Sequence, residues 1–133
     1  MTRWIGLLLL PLLLAGAPES VVLRGQLVCS GCWTEGDRAK VVYGTEADHA
    51  CAARCAKDGI PAALAVFAGG KFTLYRLADT APLKDKRLSW IGRAVEVRGS
   101  LEADAKGPLL RPDAVSEVAW ESLGFPTGPP PPR

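Results

Sequence analysis

The stretch AVEVRGSL, residues 94–101, carries the clearest strand pattern in the chain. Small or apolar side chains occupy every second position from Val95 to Leu101, and polar or charged ones lie between them, from Glu96 to Ser100. This alternation at a period of two residues is typical of a strand with one buried and one solvent-facing side. The stretch therefore predicts a sheet that covers a core.

Four further segments show strand patterns: residues 21–28, 62–67, 71–77 and 109–118. Gly69-Gly70 predicts a tight hairpin turn, and Pro112 requires an edge position or a bulge because proline cannot donate to the ladder. Residues 82–90 predict one or two helical turns. Together these elements predict a mainly β fold, a small five-stranded OB-like barrel, with a β-sandwich fragment as the alternative.

All four cysteines lie between the first and second predicted strands. Cys29 and Cys32 form a C-x2-C pair, and Cys51 and Cys55 form a C-x3-C pair after eighteen intervening residues. The alanine-rich residues 46–58 predict a short helix inserted between strands 1 and 2. Residues four apart share one face of a helix, so the sulfurs of the second pair should both point back toward the first.

The spacing is close to that of four-thiolate zinc sites, with a second pair one residue longer than usual. Soft sulfur ligands also suit Cu(I). The metal interpretation makes Cys29, Cys32, Cys51 and Cys55 the ligands of one Zn or Cu ion. His49 joins such a site only from a non-helical position, because two residues correspond to about 200° around a helix.

The alternative interpretation is a pair of disulfides among the same four cysteines. Three pairings are possible. Bridges from the Cys29/Cys32 loop to the helix, for example Cys32 with Cys51 or Cys55, are geometrically easier than a bond within the helix. A third interpretation is thiol redox chemistry at the C-x2-C pair, which Gly31 disfavours because such pairs normally open a helix.

Residues 1–17 have the layout of a secretory signal peptide. Arg3 is followed by a leucine-rich apolar run and then by Ala15 and Ala17, the small residues of a cleavage site. The run is shorter than the about 20 residues that a bilayer requires. Export to the periplasm or the medium is expected, and Pro18, which hinders cleavage, makes a retained N-terminal anchor the alternative. Thiols outside the cytosol are usually oxidised.

The expected organisation is one OB-like domain, residues 18–122, with a cysteine-rich insertion at 29–58 and a disordered, proline-rich tail at 123–133. Sixteen basic and fourteen acidic residues give a net charge of +2, too near neutral for an electrostatic nucleic-acid binder. A metal ion or an envelope protein is the expected partner, with no nucleic acid and no membrane span after cleavage.

A possible ligand face on the barrel comprises Phe72, Tyr75, Arg76 and Trp90, as in OB domains that stack bases on aromatic side chains. The opposing interpretation places Phe72 and Trp90 in the core. The chain shows neither a catalytic triad pattern nor a glycine-rich phosphate loop. The sequence therefore predicts an exported, non-enzymatic module that holds Zn or Cu, or else a disulfide-stapled domain that binds a protein or small ligand.

The C-x3-C pair runs on into Gly-Ile-Pro at residues 59–61, and Gly92 is followed by VEVRG at residues 95–99. These features resemble a group of small exported bacterial proteins, over about residues 20–118. The resemblance implies an exported OB-like domain with a cysteine-centred site, and no particular activity.

Two positions depart from the pattern of that group. Its histidine stands three residues before the C-x3-C pair, where this chain has Asp48 and places His49 one position later. Cys32 matches the group's cysteine after the first strand, so Cys29 is an addition. The resemblance thus implies a site centred on Cys32, Cys51 and Cys55.

Overall fold

A computed structural model describes residues 18–132, so the predicted signal peptide, residues 1–17, lies outside the described residues. Within that range the sheet is a closed barrel in the order β1-β2-β3-β5-β4. Its strands are β1 (Glu19–Cys29), β2 (Ala62–Ala68), β3 (Lys71–Leu77), β4 (Ala94–Asp104) and β5 (Gly107–Glu117). The prediction of a mainly β, five-stranded OB-like barrel is confirmed.

The barrel closes because β1 is shared between two neighbours. Its first part, residues 19–26, pairs antiparallel with β4, and its last part, residues 26–29, pairs antiparallel with β2. A short parallel pairing of β3 with β5 completes the ring. Residues 25–29 are consequently buried on both faces of the strand, including the polar Gln26.

Two glycines permit the close approach of neighbouring strands. A Cβ atom on Gly25 would overlap the backbone carbonyl of Ala65 in β2, and one on Gly99 would overlap that of Arg111 in β5. The register of β4 against β5 also shifts at this point, since Arg98 pairs with Ala114 while Gly99 pairs with Pro112. This shift confirms the bulge expected at Pro112.

The described helices are α1 (Ser30–Trp33), α2 (Glu46–Lys57), α3 (Ala81–Lys84) and a 3-10 turn (Trp120–Leu123). The prediction of a helix between strands 1 and 2 is confirmed by α2, which begins after Thr45. The expectation that Gly31 disfavours the start of a helix at the C-x2-C pair was wrong. A single helical turn follows β1 directly, with Cys29 as its N-cap residue.

The core is formed by the inner side chains of the barrel, with Leu27, Leu64 and Leu110 fully buried. A second apolar group consists of five aromatic rings in edge-to-face or tilted contact: Trp33, Phe67, Phe72, Trp120 and Phe125. Phe125 belongs to the proline-rich tail, and the disorder of that tail stays a prediction. No helix among residues 18–132 is long and apolar enough to cross a membrane.

Candidate metal centre

The cysteine sulfurs form one cluster where the end of β1, α1 and α2 meet. The Sγ atoms of Cys29, Cys32 and Cys55 all lie within 4.8 Å of one another. The Sγ atom of Cys55 is 3.7 Å from that of Cys32 and 4.0 Å from that of Cys51. The structure therefore brings together all four cysteines that the sequence selected.

Two of the four cysteines are joined by a disulfide. The bond links Cys32 in α1 to Cys51 in α2, whose Cα atoms are 6.4 Å apart, and Cys29 and Cys55 carry free thiols. This is one of the two bridges from the loop to the helix that the spacing favoured. A disulfide is compatible with the oxidising conditions outside the cytosol.

The position of α2 is set by a capping box at its N-terminus. The Thr45 hydroxyl accepts a hydrogen bond from the backbone N–H of Asp48, and the Asp48 carboxylate accepts one from the backbone N–H of Thr45. With Thr45 as N-cap, Cys51 is the sixth residue of the helix. It therefore lies beyond the first turn, where the stabilising effect of the helix dipole on a thiolate is concentrated.

The two free thiols differ in exposure. Cys29 is 2% exposed, whereas Cys55 is half-buried. Partial burial raises the pKa of the Cys55 thiol to about 11, and its hydrogen bond with the Cys29 side chain acts in the same direction. Without a metal ion Cys55 is thus protonated at neutral pH and is a weak nucleophile. A metal ion reverses this state, since it binds the thiolate and displaces the proton.

A buried hydrogen-bond network fixes the strand end that carries Cys29. The Tyr43 hydroxyl accepts a hydrogen bond of 2.9 Å from the backbone N–H of Cys29. The Gln26 amide donates to the carbonyl oxygens of Tyr43, at 2.9 Å, and Gly92, at 3.0 Å. Burial raises the pKa of Tyr43 to about 12. These bonds tie the loop before α2 to the barrel.

Arg38 holds the other end of α1. Its guanidinium donates to the carbonyl oxygens of Cys32, at 3.1 Å, and Trp33, at 2.8 Å, at the end of this single helical turn. The Cys32 carbonyl also accepts a hydrogen bond of 3.3 Å from the backbone N–H of Glu35. It also lies 5.2 Å from the centre of the Tyr43 ring and 4.0 Å from the Asp48 carboxylate. Arg38 therefore links α1, the loop and α2.

No local pattern in the sequence indicates the roles of Gln26, Arg38 and Tyr43. Gln26 fits the polar face of an alternating strand, and the other two lie in a loop without periodicity. Their partners are 5 to 66 residues away along the chain. These contacts connect residues that are not close neighbours in the chain, so no local sequence pattern could have identified them.

His49 lies outside the sulfur cluster. Its ring is beside Gly92, and with Gly44 and Trp120 it lines a groove that the tail prolines 129–132 also border. Among the described residues, the sulfur atoms grouped closely enough to hold a metal ion are those of Cys29, Cys32 and Cys55.

The predicted ligand face is divided by the fold. Phe72 and Tyr75 are three positions apart on β3, so they project from opposite faces of the strand. The Phe72 ring makes edge-to-face contacts with the rings of Trp33 and Phe125. Arg76 bonds the Asp104 carboxylate and the carbonyl of Gly107, and the Trp90 ring lies under the Lys86 ammonium at 4.6 Å. Phe72 and Tyr75 therefore lie on different faces of β3, and binding of a ligand at the predicted face stays a prediction.

No protein-family model, no curated protein and no solved structure matches this chain. The resemblance to a group of small exported bacterial proteins therefore stays a prediction. The sulfur cluster is the feature of the molecule on which a function can be based.

Proposed function

We propose that this protein is an exported, non-enzymatic module that, in its reduced state, binds one soft metal ion through four thiolates. The ligands are Cys29, Cys32, Cys51 and Cys55, and the ion is Zn²⁺ or Cu⁺. The observation that carries the proposal is the meeting of three sulfurs from three separate elements within 4.8 Å. Cys29 ends β1, Cys32 lies in α1 and Cys55 lies in α2.

The spacing of the sulfurs supports a tetrahedral site. A Zn–S bond of about 2.3 Å places neighbouring sulfurs of a tetrahedron about 3.8 Å apart. Cys55 already lies 3.7 Å from Cys32 and 4.0 Å from Cys51. After reduction of the disulfide, the sulfurs of Cys32 and Cys51 have to separate to the same distance.

The surroundings of the cluster suit a charged metal site. Four thiolates around Zn²⁺ carry a net charge of −2, which needs compensation in a partly buried position. The guanidinium of Arg38 supplies positive charge nearby, since it is hydrogen bonded to the carbonyl of Cys32 and its side chain is only 9% exposed. The burial of Cys29 and Cys32 limits access of water to two of the ligands.

A second candidate is a disulfide-stapled OB-like domain that binds an envelope protein or a small ligand. The Cys32–Cys51 bond favours it, because this bond fastens the insertion without any ion. Thiol-disulfide redox activity is the third candidate, and it is less well supported. The cysteines of the C-x2-C pair are not bonded to each other, since Cys32 is bonded to Cys51.

The decisive experiment combines metal content with a thiol count on the full chain. Protein purified from the cell envelope and protein reduced without oxygen are both analysed by native mass spectrometry, the latter after addition of Zn²⁺ or Cu⁺. We expect one ion per reduced chain and four thiols protected from alkylation. Four free thiols with neither ion retained would overturn the metal proposal. Four free thiols with one bound ion in the envelope protein would exclude the stapled domain.

Matched variants locate the site. Cys55→Ser removes the sulfur that contacts both Cys32 and Cys51 and leaves three thiolates, so we expect it to weaken retention of the ion strongly. Ala53→Ser introduces the same hydroxyl on the groove side of α2 and should leave retention unchanged. Near-ultraviolet circular dichroism of both variants confirms that the barrel is folded.

A further inference from the structure

We propose that the Cys32 and Cys51 sulfurs form a redox switch that controls the ion, so that formation of their disulfide releases it. The inference rests on the proposed function. It adds that the metal-bound state and the disulfide state exclude each other, and that the ion is held only under reducing conditions.

The exclusion follows from one shared atom. The Sγ atom of Cys32 belongs to the group of three sulfurs that could hold an ion, and it is also one partner of the disulfide. Once Cys32 and Cys51 are bonded to each other, neither can supply a thiolate. The cluster then retains two thiols, those of Cys29 and Cys55, which is too few for a closed zinc site.

The exposure of the two cysteine residues indicates the order of the chemical steps. Cys32 is 3% exposed, whereas Cys51 is half-buried and is therefore the more exposed residue of the pair. The Cys51 thiolate attacks one sulfur of an external small-molecule disulfide, forms a mixed disulfide and releases one thiolate. The Cys32 thiolate then attacks the Cys51 sulfur and displaces the second thiolate.

The exchange is balanced in atoms and electrons. Two cysteine thiolates lose one electron each, and the external disulfide gains both and leaves as two thiolates. The ion departs when it has lost two of its four ligands. Cys29 and Cys55 then take up one proton each from water, which gives the pair of free thiols that the structure shows beside the disulfide.

The switch can be measured because binding of the ion and reduction of the disulfide are linked equilibria. An ion that binds the reduced form alone stabilises that form by mass action. Well above the dissociation constant, each tenfold rise in free Zn²⁺ should raise the ratio of reduced to oxidised protein about tenfold at fixed oxidant. For a two-electron couple this is a rise in midpoint potential of about 30 mV.

The test is a redox titration of the full chain in glutathione buffers at two concentrations of free Zn²⁺ that differ about 100-fold. Alkylation and peptide mass spectrometry report the Cys32–Cys51 bond. We expect the ratio of reduced to oxidised protein to differ by about 100-fold between the two series. If the reduced chain takes up Zn²⁺ but the ratio is unchanged, the switch is wrong and the metal site stands. If the reduced chain takes up no Zn²⁺, the proposed function itself fails.

The Cys51→Ser variant tests the pair directly. It keeps Cys29, Cys32 and Cys55, so we expect it to retain Zn²⁺ with lowered affinity. Release of Zn²⁺ by oxidised glutathione, followed with a chromogenic chelator, should be at least about tenfold slower than in the wild-type chain because the thiolate that attacks first is missing. Release at the wild-type rate would overturn the assignment of the switch to Cys51 and Cys32. Ala53→Ser is the control and should behave as wild type.

Discussion

The barrel and the cysteine segment, residues 29–60, share one core but differ in the other interactions that hold them. The barrel combines continuous strand pairing with fully buried aliphatic side chains such as Leu27 and Leu64. In α2, which is described along its whole length, Ala52 is the one buried residue. The segment also contributes Cys29, Cys32 and Tyr43 to the core, and it is held further by the Cys32–Cys51 bond and by hydrogen bonds of Arg38 and Tyr43. Its attachment should therefore respond to redox state and pH, while the barrel should not.

The largest expected effect comes from adding a methyl group at a point where two strands of the barrel come close together. A Cβ atom on Gly25 would overlap the backbone carbonyl of Ala65, and backbone atoms of paired strands cannot move aside without breaking the ladder. We expect Gly25→Ala to lower the free energy of unfolding by about 3 kcal/mol or more, or to prevent folding. Guanidinium denaturation followed by circular dichroism measures the change.

Gly31→Ala is the matched control in the cysteine segment. The nearest atom to a Cβ at this position is the Cys55 sulfur at 3.8 Å, an ordinary van der Waals distance. Alanine also favours a helical turn over glycine by about 1 kcal/mol. We expect this variant to be neutral or slightly more stable. A similar loss in both variants would contradict the proposed difference between the two regions.

The next effect concerns the disulfide. Reduction in the presence of a chelator frees the unfolded chain from a closed loop with a sequence separation of 19 residues. The free energy of unfolding should fall by about 3 kcal/mol. The reduced protein should keep the far-ultraviolet spectrum of the barrel, since the bond joins only α1 to α2. Complete loss of that spectrum without denaturant would show that the barrel depends on the bond.

The smallest predicted effect is a loss of stability in alkali. Burial raises the pKa of Tyr43 from 10.0 to about 12, so the unfolded chain loses this proton at lower pH than the folded chain. The contribution to stability is complete below pH 10 and disappears as the pH rises through 12. Two pKa units correspond to about 2.7 kcal/mol.

Denaturant unfolding at several pH values, with and without the Tyr43 hydroxyl, measures this effect. Tyr43→Phe should be less stable by about 1–3 kcal/mol at neutral pH, because the buried N–H of Cys29 loses its acceptor. It should also lack most of the decline above pH 10. An unchanged decline in the variant would assign the alkaline transition to other groups, such as the Cys55 thiol.

The strands were predictable because their signal is local. Residues 94–101 alternate over consecutive positions, and β4 is found there as Ala94–Asp104. The helix after Thr45 was predictable for the same reason, since its capping box spans four residues. The turn at Ser30–Trp33 was not, because its last carbonyls are satisfied by Arg38 from the following loop. The buried role of Gln26 was missed because β1 pairs with two strands at once.

The sequence by itself determined that this protein has a five-stranded sheet, a short helix between its first two strands and four cysteines in that insertion. Periodicity and capping act between neighbours in the chain, so they can be recognised without a structure. The tertiary structure alone decided that Cys32 pairs with Cys51, and that Cys55 lies beside both while His49 lies elsewhere. Distances between sulfurs depend on how β1, α1 and α2 pack, which no spacing along the chain specifies.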